Sequence, residues 1–136
     1  MEENLGTRVR IMLVEDHPDF RFLMAALLDQ EADLEVVAQA GSLAEARSQA
    51  AAVGHDVAVL DLELPDGNGA EFIGELRDAN DGVGVLVLSA SLDLGNLRRA
   101  TEAGADEILD KLTPSEEVVE AIRRLGAGGT PDRQEE

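Results

Sequence analysis

Cysteine, tryptophan and tyrosine are all missing from this chain of 136 residues. Without cysteine, the protein has no disulfide framework, no thiolate metal site and no thiol catalysis. Three phenylalanines supply the whole aromatic content, which argues against a flavin site because such sites often stack the ligand on aromatic rings. Lysine occurs once, as Lys111, among 11 lysine and arginine residues. This usage suggests that a compact ammonium with three donors is needed at that position.

Positive charge and long apolar runs are also scarce. The formal charge is −18, which argues against direct nucleic-acid binding because such binding normally uses a basic patch. No apolar run approaches the roughly 18 residues of a membrane span. The start, MEENLGTRVR, lacks the hydrophobic segment of a secretory signal. We therefore expect no direct contact with nucleic acid or membrane, and a cytoplasmic location.

Length and composition predict a single domain that is large enough to bury a core without disulfides or metal. We place this domain at residues 8–125, after an N-terminal extension at residues 1–7. From Gly126 onward the sequence is rich in glycine and polar residues. It predicts a flexible acidic tail at residues 126–136.

Apolar runs alternate along the domain with segments of helical periodicity. The predicted strands are Arg8–Val14, Leu34–Ala40, Val57–Leu60, Val83–Leu88 and Ala105–Asp110. Helices are predicted between and after them, at residues 17–30, 42–53, 92–103 and 113–125, with a further helix after the Pro65–Gly69 turn that carries Phe72, Ile73 and Leu76. Such β-α units with short loops predict an α/β fold with a parallel sheet and helices on both faces. Strands two and four are apolar on both faces, as in buried parallel strands, but periodicity alone leaves the strand order open.

Local patterns add detail to three of the helices. Helices two and five open with the capping-box pattern, at Ser42-Leu43-Ala44-Glu45 and Thr113-Pro114-Ser115-Glu116. The stripe of helix one that should pack on the sheet is Phe20, Leu23, Met24, Leu27 and Leu28. Near the start of helix four, three leucines are either core residues or a surface for a partner: Leu92, Leu94 and Leu97. Asp66 lies in a Pro-Asp-Gly-Asn-Gly segment and is interpreted as a turn residue.

Four of the apolar runs end on polar residues that suit one chemical site. These residues are Glu15 and Asp16 after the first run, then Asp61, Ser89 and Lys111. The carboxyl ends of parallel strands share one edge of a sheet, and ligands bind in the crevice there. Each of these residues also has an ordinary structural explanation. An acidic pair solvates a loop, an aspartate beside proline and glycine belongs to a turn, and a single lysine is a surface charge. Their joint position at four strand ends favours a site.

The chemistry of these side chains favours phosphoryl transfer. Clustered carboxylates need a cation or raised pKa values, and magnesium (Mg²⁺) takes one or two protein carboxylates while leaving positions for phosphate oxygens. Asp61, at the end of a short central strand, suits a nucleophile that forms an acyl phosphate. Lys111 and the hydroxyl of Ser89 would bind further phosphoryl oxygens.

The sequence resembles the receiver domain of bacterial two-component response regulators over about residues 8–125. The matching segments are Leu13-Val14-Glu15-Asp16-His17-Pro18, Asp61 to Gly69, Leu88-Ser89-Ala90 and Asp110-Lys111. The resemblance implies a flavodoxin-like (βα)5 three-layer sandwich with strand order 2-1-3-4-5. His17-Pro18 and Ala40-Gly41-Ser42 look most like receivers that precede a helix-turn-helix domain, which this sequence does not contain.

The resemblance also implies the roles of the site residues. Asp61 would take a phosphoryl group from the phosphohistidine of a histidine kinase or a phosphotransfer protein. Asp16 and Asp61 would bind Mg²⁺, with the backbone carbonyl of Glu63 as a further ligand and Glu15 acting through water. Lys111 and Ser89 would hold the phosphoryl group. Such a domain is not an enzyme beyond weak self-catalysed phosphorylation and dephosphorylation.

Three positions depart from the family pattern. Ile108 stands three residues before the lysine, where the family has a tyrosine or phenylalanine that reports phosphorylation. Leu112 replaces the proline that commonly follows the lysine, and we expect a trans Lys111–Leu112 bond because a non-proline cis bond costs about 2.5–4 kcal/mol. The side chain of Glu63, two residues after Asp61, would either repel phosphate or orient water.

Three functions remain open on the sequence. The first is a stand-alone switch in which phosphorylation changes a protein-binding surface, with a homodimer through helix four, strand five and helix five. The second is a phosphorelay intermediate or phosphate sink without a surface switch. The third is a degenerate receiver that binds partners without being phosphorylated.

Overall fold

The computed structural model describes residues 8–79 and 82–127, in seven strands and five helices. The strands are β1 Val9–Val14, β2 Leu34–Ala40, β3 Val57–Leu60, β4 Glu63–Leu64, β5 Gly67–Asn68, β6 Gly84–Ser89 and β7 Glu107–Asp110. The helices are α1 Pro18–Asp29, α2 Leu43–Ala52, α3 Gly69–Ala79, α4 Leu94–Ala103 and α5 Ser115–Gly126. The extension at 1–7 and residues 128–136 of the tail lie outside the described residues.

Five strands form one parallel sheet in the order β2-β1-β3-β6-β7. This is the expected order 2-1-3-4-5, because β4 and β5 lie outside the sheet and form a separate two-stranded hairpin around Pro65 and Asp66. The sequence did not predict that hairpin. Its strands are two residues long and have no apolar pattern of their own.

The core is divided between the two faces of the sheet. In β1, Ile11 and Leu13 pack with α1 and α5, whereas Met12 and Val14 pack with α2, α3 and α4. This alternation follows from the period of two in a β-strand. The predicted three-layer arrangement is confirmed. Across the described ranges, no helix is long and apolar enough to cross a membrane.

The strand register brings the predicted site residues to one edge. Val14 pairs with Leu60 across β1 and β3, and Ser89 pairs with Asp110 across β6 and β7. Each strand therefore ends at a similar height. Gly69 begins α3 beside this edge, where a Cβ atom would collide with the carbonyl oxygen of Asp61.

Two predictions about burial are wrong. Leu23, placed on the packed stripe of α1, is 60% exposed, because α1 turns Met24, Ala25 and Leu28 into the core instead. The second wrong prediction is that β2 has the two apolar faces of a buried strand. Strand β2 is an edge strand, and Val36 and Val37 are only half-buried in it.

The two capping boxes have different outcomes. At α2, Ser42 Oγ accepts from the Glu45 N–H at 3.1 Å, as predicted, although Glu45 Oε1 accepts from Gly41 rather than from Ser42. At α5 the prediction is wrong, because the helix begins at Ser115 after Pro114 and has no side-chain cap. Helix α5 also includes Gly126, assigned above to the tail, where a Cβ atom would meet the side chain of Val9 at 2.6 Å.

Candidate functional site

Lys111 lies between two buried carboxylates at the carboxyl edge of the sheet. Its Nζ is 2.7 Å from Glu15 Oε1 and 3.0 Å from Asp61 Oδ2. The side chain of Lys111 is itself only 13% exposed. Three of the residues expected to share a site are therefore in direct contact.

Backbone hydrogen bonds fix the strand ends that carry these side chains. The N–H of Glu15 donates to Ala40 at 2.9 Å, and that of Asp61 donates to Val14 at 3.0 Å. The N–H of Lys111 donates to the carbonyl of Ser89 at 3.1 Å. The site thus rests on the sheet ladder rather than on free loops, which favours fixed geometry.

The ion pairs keep Glu15 and Lys111 charged. Burial on its own would raise the pKa of Glu15, but hydrogen bonds from Lys111 and His17 outweigh it and hold the pKa below its usual value. Burial would likewise lower the pKa of Lys111, but its bonds to Glu15 and Asp61 hold that pKa above the usual value. An ammonium and a carboxylate therefore coexist at neutral pH.

Asp16 carries a carboxylate oxygen that forms no hydrogen bond with the described residues. Its Oδ1 is buried and accepts no hydrogen bond from that part of the chain. His17 Nδ1 lies 3.4 Å away but makes its closer contact, 2.9 Å, with Glu15 Oε2. Ligand atoms of Glu15, Asp16 and His17 all lie within 4.8 Å of one another. A free buried carboxylate oxygen beside further carboxylates fits a hard cation such as Mg²⁺.

Ser89 and Glu63 occupy different surroundings at the same edge. Ser89 is fully buried at the end of β6, and its Oγ accepts from the Ser91 N–H at 3.2 Å. Glu63 is exposed, while its backbone N–H donates to Asp61 Oδ1 at 3.3 Å. The backbone of Glu63, rather than its carboxylate, is thus joined to Asp61.

Two positions near Lys111, Ile108 and Leu112, depart from the family pattern. Ile108 is half-buried and packs against the core beneath α2, α3 and α4. Among the described residues no peptide bond is cis, so the expectation of a trans Lys111–Leu112 bond is confirmed. Lys111 reaches both carboxylates with that bond trans.

Sequence reasoning missed two residues of α1 that contact the site. Lys111 Nζ lies 4.9 Å from the centroid of the Phe20 ring, although Phe20 was assigned only to the core stripe. Arg21 Nη1 donates to the backbone carbonyl of Glu15 at 2.6 Å. Their positions in the first turns of the helix after Glu15 and Asp16 were the available signal.

A parallel α/β sheet with an acidic cluster and a lysine at its carboxyl edge defines a flavodoxin-like domain with a charged site at the topological switch point. Residues 11–123 match the response regulator receiver domain family. The chain belongs to that family. Receiver domains are generally phosphoacceptors rather than enzymes, bind Mg²⁺ at an acidic site and interact with histidine kinases.

Curated relatives of the chain are response regulators. It is 37% identical over 120 residues to the DNA-binding transcriptional activator DevR/DosR of Mycobacterium tuberculosis, a match that covers 88% of this chain and 55% of the relative. It is 27% identical over 120 residues to the response regulator VraR of Staphylococcus aureus, covering 88% and 57%. The chain therefore spans little more than half the length of these relatives.

Solved structures share the fold. The signal receiver domain of the response regulator NarL from Mycobacterium tuberculosis superposes with a TM-score of 0.84 at 29% identity, covering 90% of this chain and 99% of that one. A two-component response regulator of the LuxR family from Aurantimonas sp. SI85-9A1 gives 0.83 at 31% identity, covering 95% and 94%. The flavodoxin-like prediction is confirmed.

Proposed function

We propose that Asp61 accepts a phosphoryl group from the phosphohistidine of a histidine kinase or phosphotransfer protein. The observation that carries this proposal is the pair of contacts from Lys111 Nζ to Asp61 and Glu15. An ammonium already placed against the acceptor carboxylate is positioned to neutralise charge on an incoming phosphoryl oxygen, and phosphoryl transfer depends mostly on such positioning.

The transfer exchanges one bond to phosphorus for another. A carboxylate oxygen of Asp61 attacks phosphorus, and the P–N bond of the phosphohistidine breaks. Its electron pair returns to the imidazole nitrogen, which takes a proton from solvent, and Asp61 becomes an acyl phosphate. Lys111 then exchanges its contact with Asp61 Oδ2 for a phosphoryl oxygen, while the hydroxyl of Ser89 donates to another. Hydrolysis later releases phosphate and restores the carboxylate.

Asp16 and Asp61 are the carboxylates that we assign to Mg²⁺, with the carbonyl of Glu63 as a third ligand. Glu15 contacts Lys111 and His17 directly, so we assign it to the metal only through water. When bound, the metal neutralises charge on the phosphoryl group. The orphaned oxygen of Asp16 supports this assignment.

The output that we propose is a changed protein-binding surface formed by α4, β7 and α5. Leu94 at the start of α4 is 79% exposed, and Leu92 and Leu97 are half-buried, which favours a partner surface, including a homodimer, over core packing. Because relatives are DNA-binding regulators, we infer a transcriptional pathway in the cytoplasm. The charge of −18 argues against contact between this domain and DNA.

The phosphorelay or phosphate-sink function is the second candidate, and Ile108 favours it. A branched aliphatic side chain replaces the aromatic ring expected there, so the surface change has a different origin or is small. A partner affinity that phosphorylation leaves unchanged, together with rapid loss of the phosphoryl group, would favour this candidate over the switch.

Acetyl phosphate with Mg²⁺ tests the acceptor. Intact-mass measurement should show one added phosphate on the wild type and none on Asp61→Asn. Asp78→Asn, the same change at an exposed position of α3 away from the site, should still be labelled. Equal labelling of wild type and Asp61→Asn would refute the assignment, and no labelling of the wild type by any phosphodonor would leave the degenerate receiver as the function.

A further inference from the structure

The chain's single lysine lies against one of its three aromatic rings. Lys111 Nζ is 4.9 Å from the centre of the Phe20 ring, within the roughly 6 Å over which a cation is attracted to an aromatic face. Phe20 belongs to the first turn of α1, whereas Lys111 follows β7. This contact therefore joins an element near the start of the domain's sequence to one near its end.

Packing against the core holds the ring in place. Phe20 is half-buried and packs against the core between the sheet and α1 and α5, as does Leu109, two residues before Lys111 in β7. On the other side of the lysine, Leu112 is 90% exposed. Besides its two ion pairs, the lysine side chain is thus restrained by α1 and not by the residue that follows it.

We propose that Phe20 is a positioning residue that holds the Lys111 ammonium against Asp61, an inference that rests on the proposed function of that site. Two of the three N–H groups of Lys111 point to carboxylates, and the ring covers the ammonium without offering an acceptor atom. A polar side chain there would compete for the N–H groups. An aliphatic one would exclude water but would not attract the charge.

The contact between the Lys111 ammonium and the Phe20 ring can persist when a phosphoryl oxygen replaces Asp61 Oδ2 as the partner of the ammonium. The attraction to the ring face has no single directed hydrogen bond, so the ammonium can leave Asp61 Oδ2 for a phosphoryl oxygen while remaining on Phe20. Phe20 would then shape both the empty and the phosphorylated site. Its loss should slow phosphorylation without weakening Mg²⁺ binding, because Phe20 is not one of the assigned metal ligands.

The single lysine makes the test direct, because selective labelling of lysine ε-carbons gives one signal from the whole protein. The variants are Phe20→Leu, which removes the ring, Phe20→Tyr, which keeps it, and Phe22→Leu. Phe22 is the matched control, since it lies in the same helix and is 65% exposed. Protons over a ring are shielded, so the Lys111 ε-protons should move downfield in Phe20→Leu and stay in place in the other two.

The rate of phosphorylation by acetyl phosphate should fall by about 3- to 10-fold in Phe20→Leu, because an ammonium that the ring no longer holds occupies its position against Asp61 less often. Phe20→Tyr should restore it and Phe22→Leu should leave it unchanged, with Mg²⁺ affinity equal in all four proteins. A purely structural role would instead lower the melting temperature and the Mg²⁺ affinity together.

An unchanged lysine signal in Phe20→Leu would overturn the proposal, as would an equal effect of Phe22→Leu or a failure of Phe20→Tyr to restore the rate. If the wild type takes up no phosphate, the proposed function fails. The lysine signal still decides whether Phe20 positions Lys111, because that measurement needs no phosphodonor.

Discussion

Asp66 caps the helix that begins at Leu43, 23 positions earlier in the chain. Its Oδ1 accepts a hydrogen bond of 2.7 Å from the Leu43 N–H, and its Oδ2 accepts one of 3.0 Å from Ala44. Together with Ser42 Oγ on Glu45, this satisfies three of the N–H groups that a helix start leaves without partners. The loop that follows Asp61 is therefore joined to α2.

Asp66→Ala should lower the melting temperature and expose the start of α2. The Leu43 and Ala44 amides should lose protection from hydrogen exchange, because both lose their acceptor. Asp78→Ala, an exposed change in α3, is the control and should do neither. Protection that persists at Leu43 in Asp66→Ala would contradict the assigned cap.

The effect of Asp66 should also depend on pH. The N–H groups of Leu43 and Ala44 hold the pKa of Asp66 below its usual value. Its contribution to stability is therefore present above the unfolded-state pKa and is lost as the pH falls through the folded-state pKa. The difference in melting temperature between wild type and Asp66→Ala should shrink in acid.

The guanidinium of Arg77, in α3, contacts the residue before β6 and the connection between α4 and β7. It donates to the carbonyls of Val83 and Gly104 and forms an ion pair with Asp106 at 2.6 Å. Both charged side chains are nearly buried, and removing one partner of such a pair costs about 3–5 kcal/mol. Arg77→Met should lower the free energy of unfolding in urea by that amount. Arg47→Met, which breaks an exposed pair with Glu75, should cost far less.

The pKa values of the two histidines should be shifted in opposite directions. The hydrogen bond to Glu15, helped by the charge of Asp16, raises the pKa of His17, whereas burial lowers the pKa of His55. His17 therefore contributes stability that is lost as the pH rises through its folded-state pKa. His55 costs stability as the pH falls below its unfolded-state value near 6.5. NMR titration without metal, with His17→Gln to assign the signals, measures both values; the reverse order would refute the geometry.

Mg²⁺ should stabilise the folded protein. A ligand that binds only the folded state at 100 times its dissociation constant adds roughly 2.7 kcal/mol, so the melting temperature should rise with Mg²⁺ concentration. Asp16→Asn should weaken this response, since Asp16 holds the free buried oxygen. A melting temperature that does not change across a 100-fold range of Mg²⁺ would contradict a metal site here.

The alternation of strands and helices could be predicted because it depends on local periodicity and on turn residues. The strand ends at Asp61 and Lys111 followed from the same pattern, because parallel strands place their carboxyl ends at one edge. The hairpin at residues 63–68 and the start of α5 were missed or misplaced. The hairpin strands are two residues long and the start of α5 has no side-chain cap, so the sequence carries little signal for either.

The sequence by itself determined the class of fold and the residue types available for the site, since apolar periodicity and the positions of charged residues are local properties. Only the tertiary structure decided which of them touch. Leu23 is exposed while Phe20 faces Lys111, because the rotation of α1 about its axis depends on packing across the whole core. Asp66 lies in a turn, as predicted, but its side chain bonds to the start of α2, a segment that only the fold brings close.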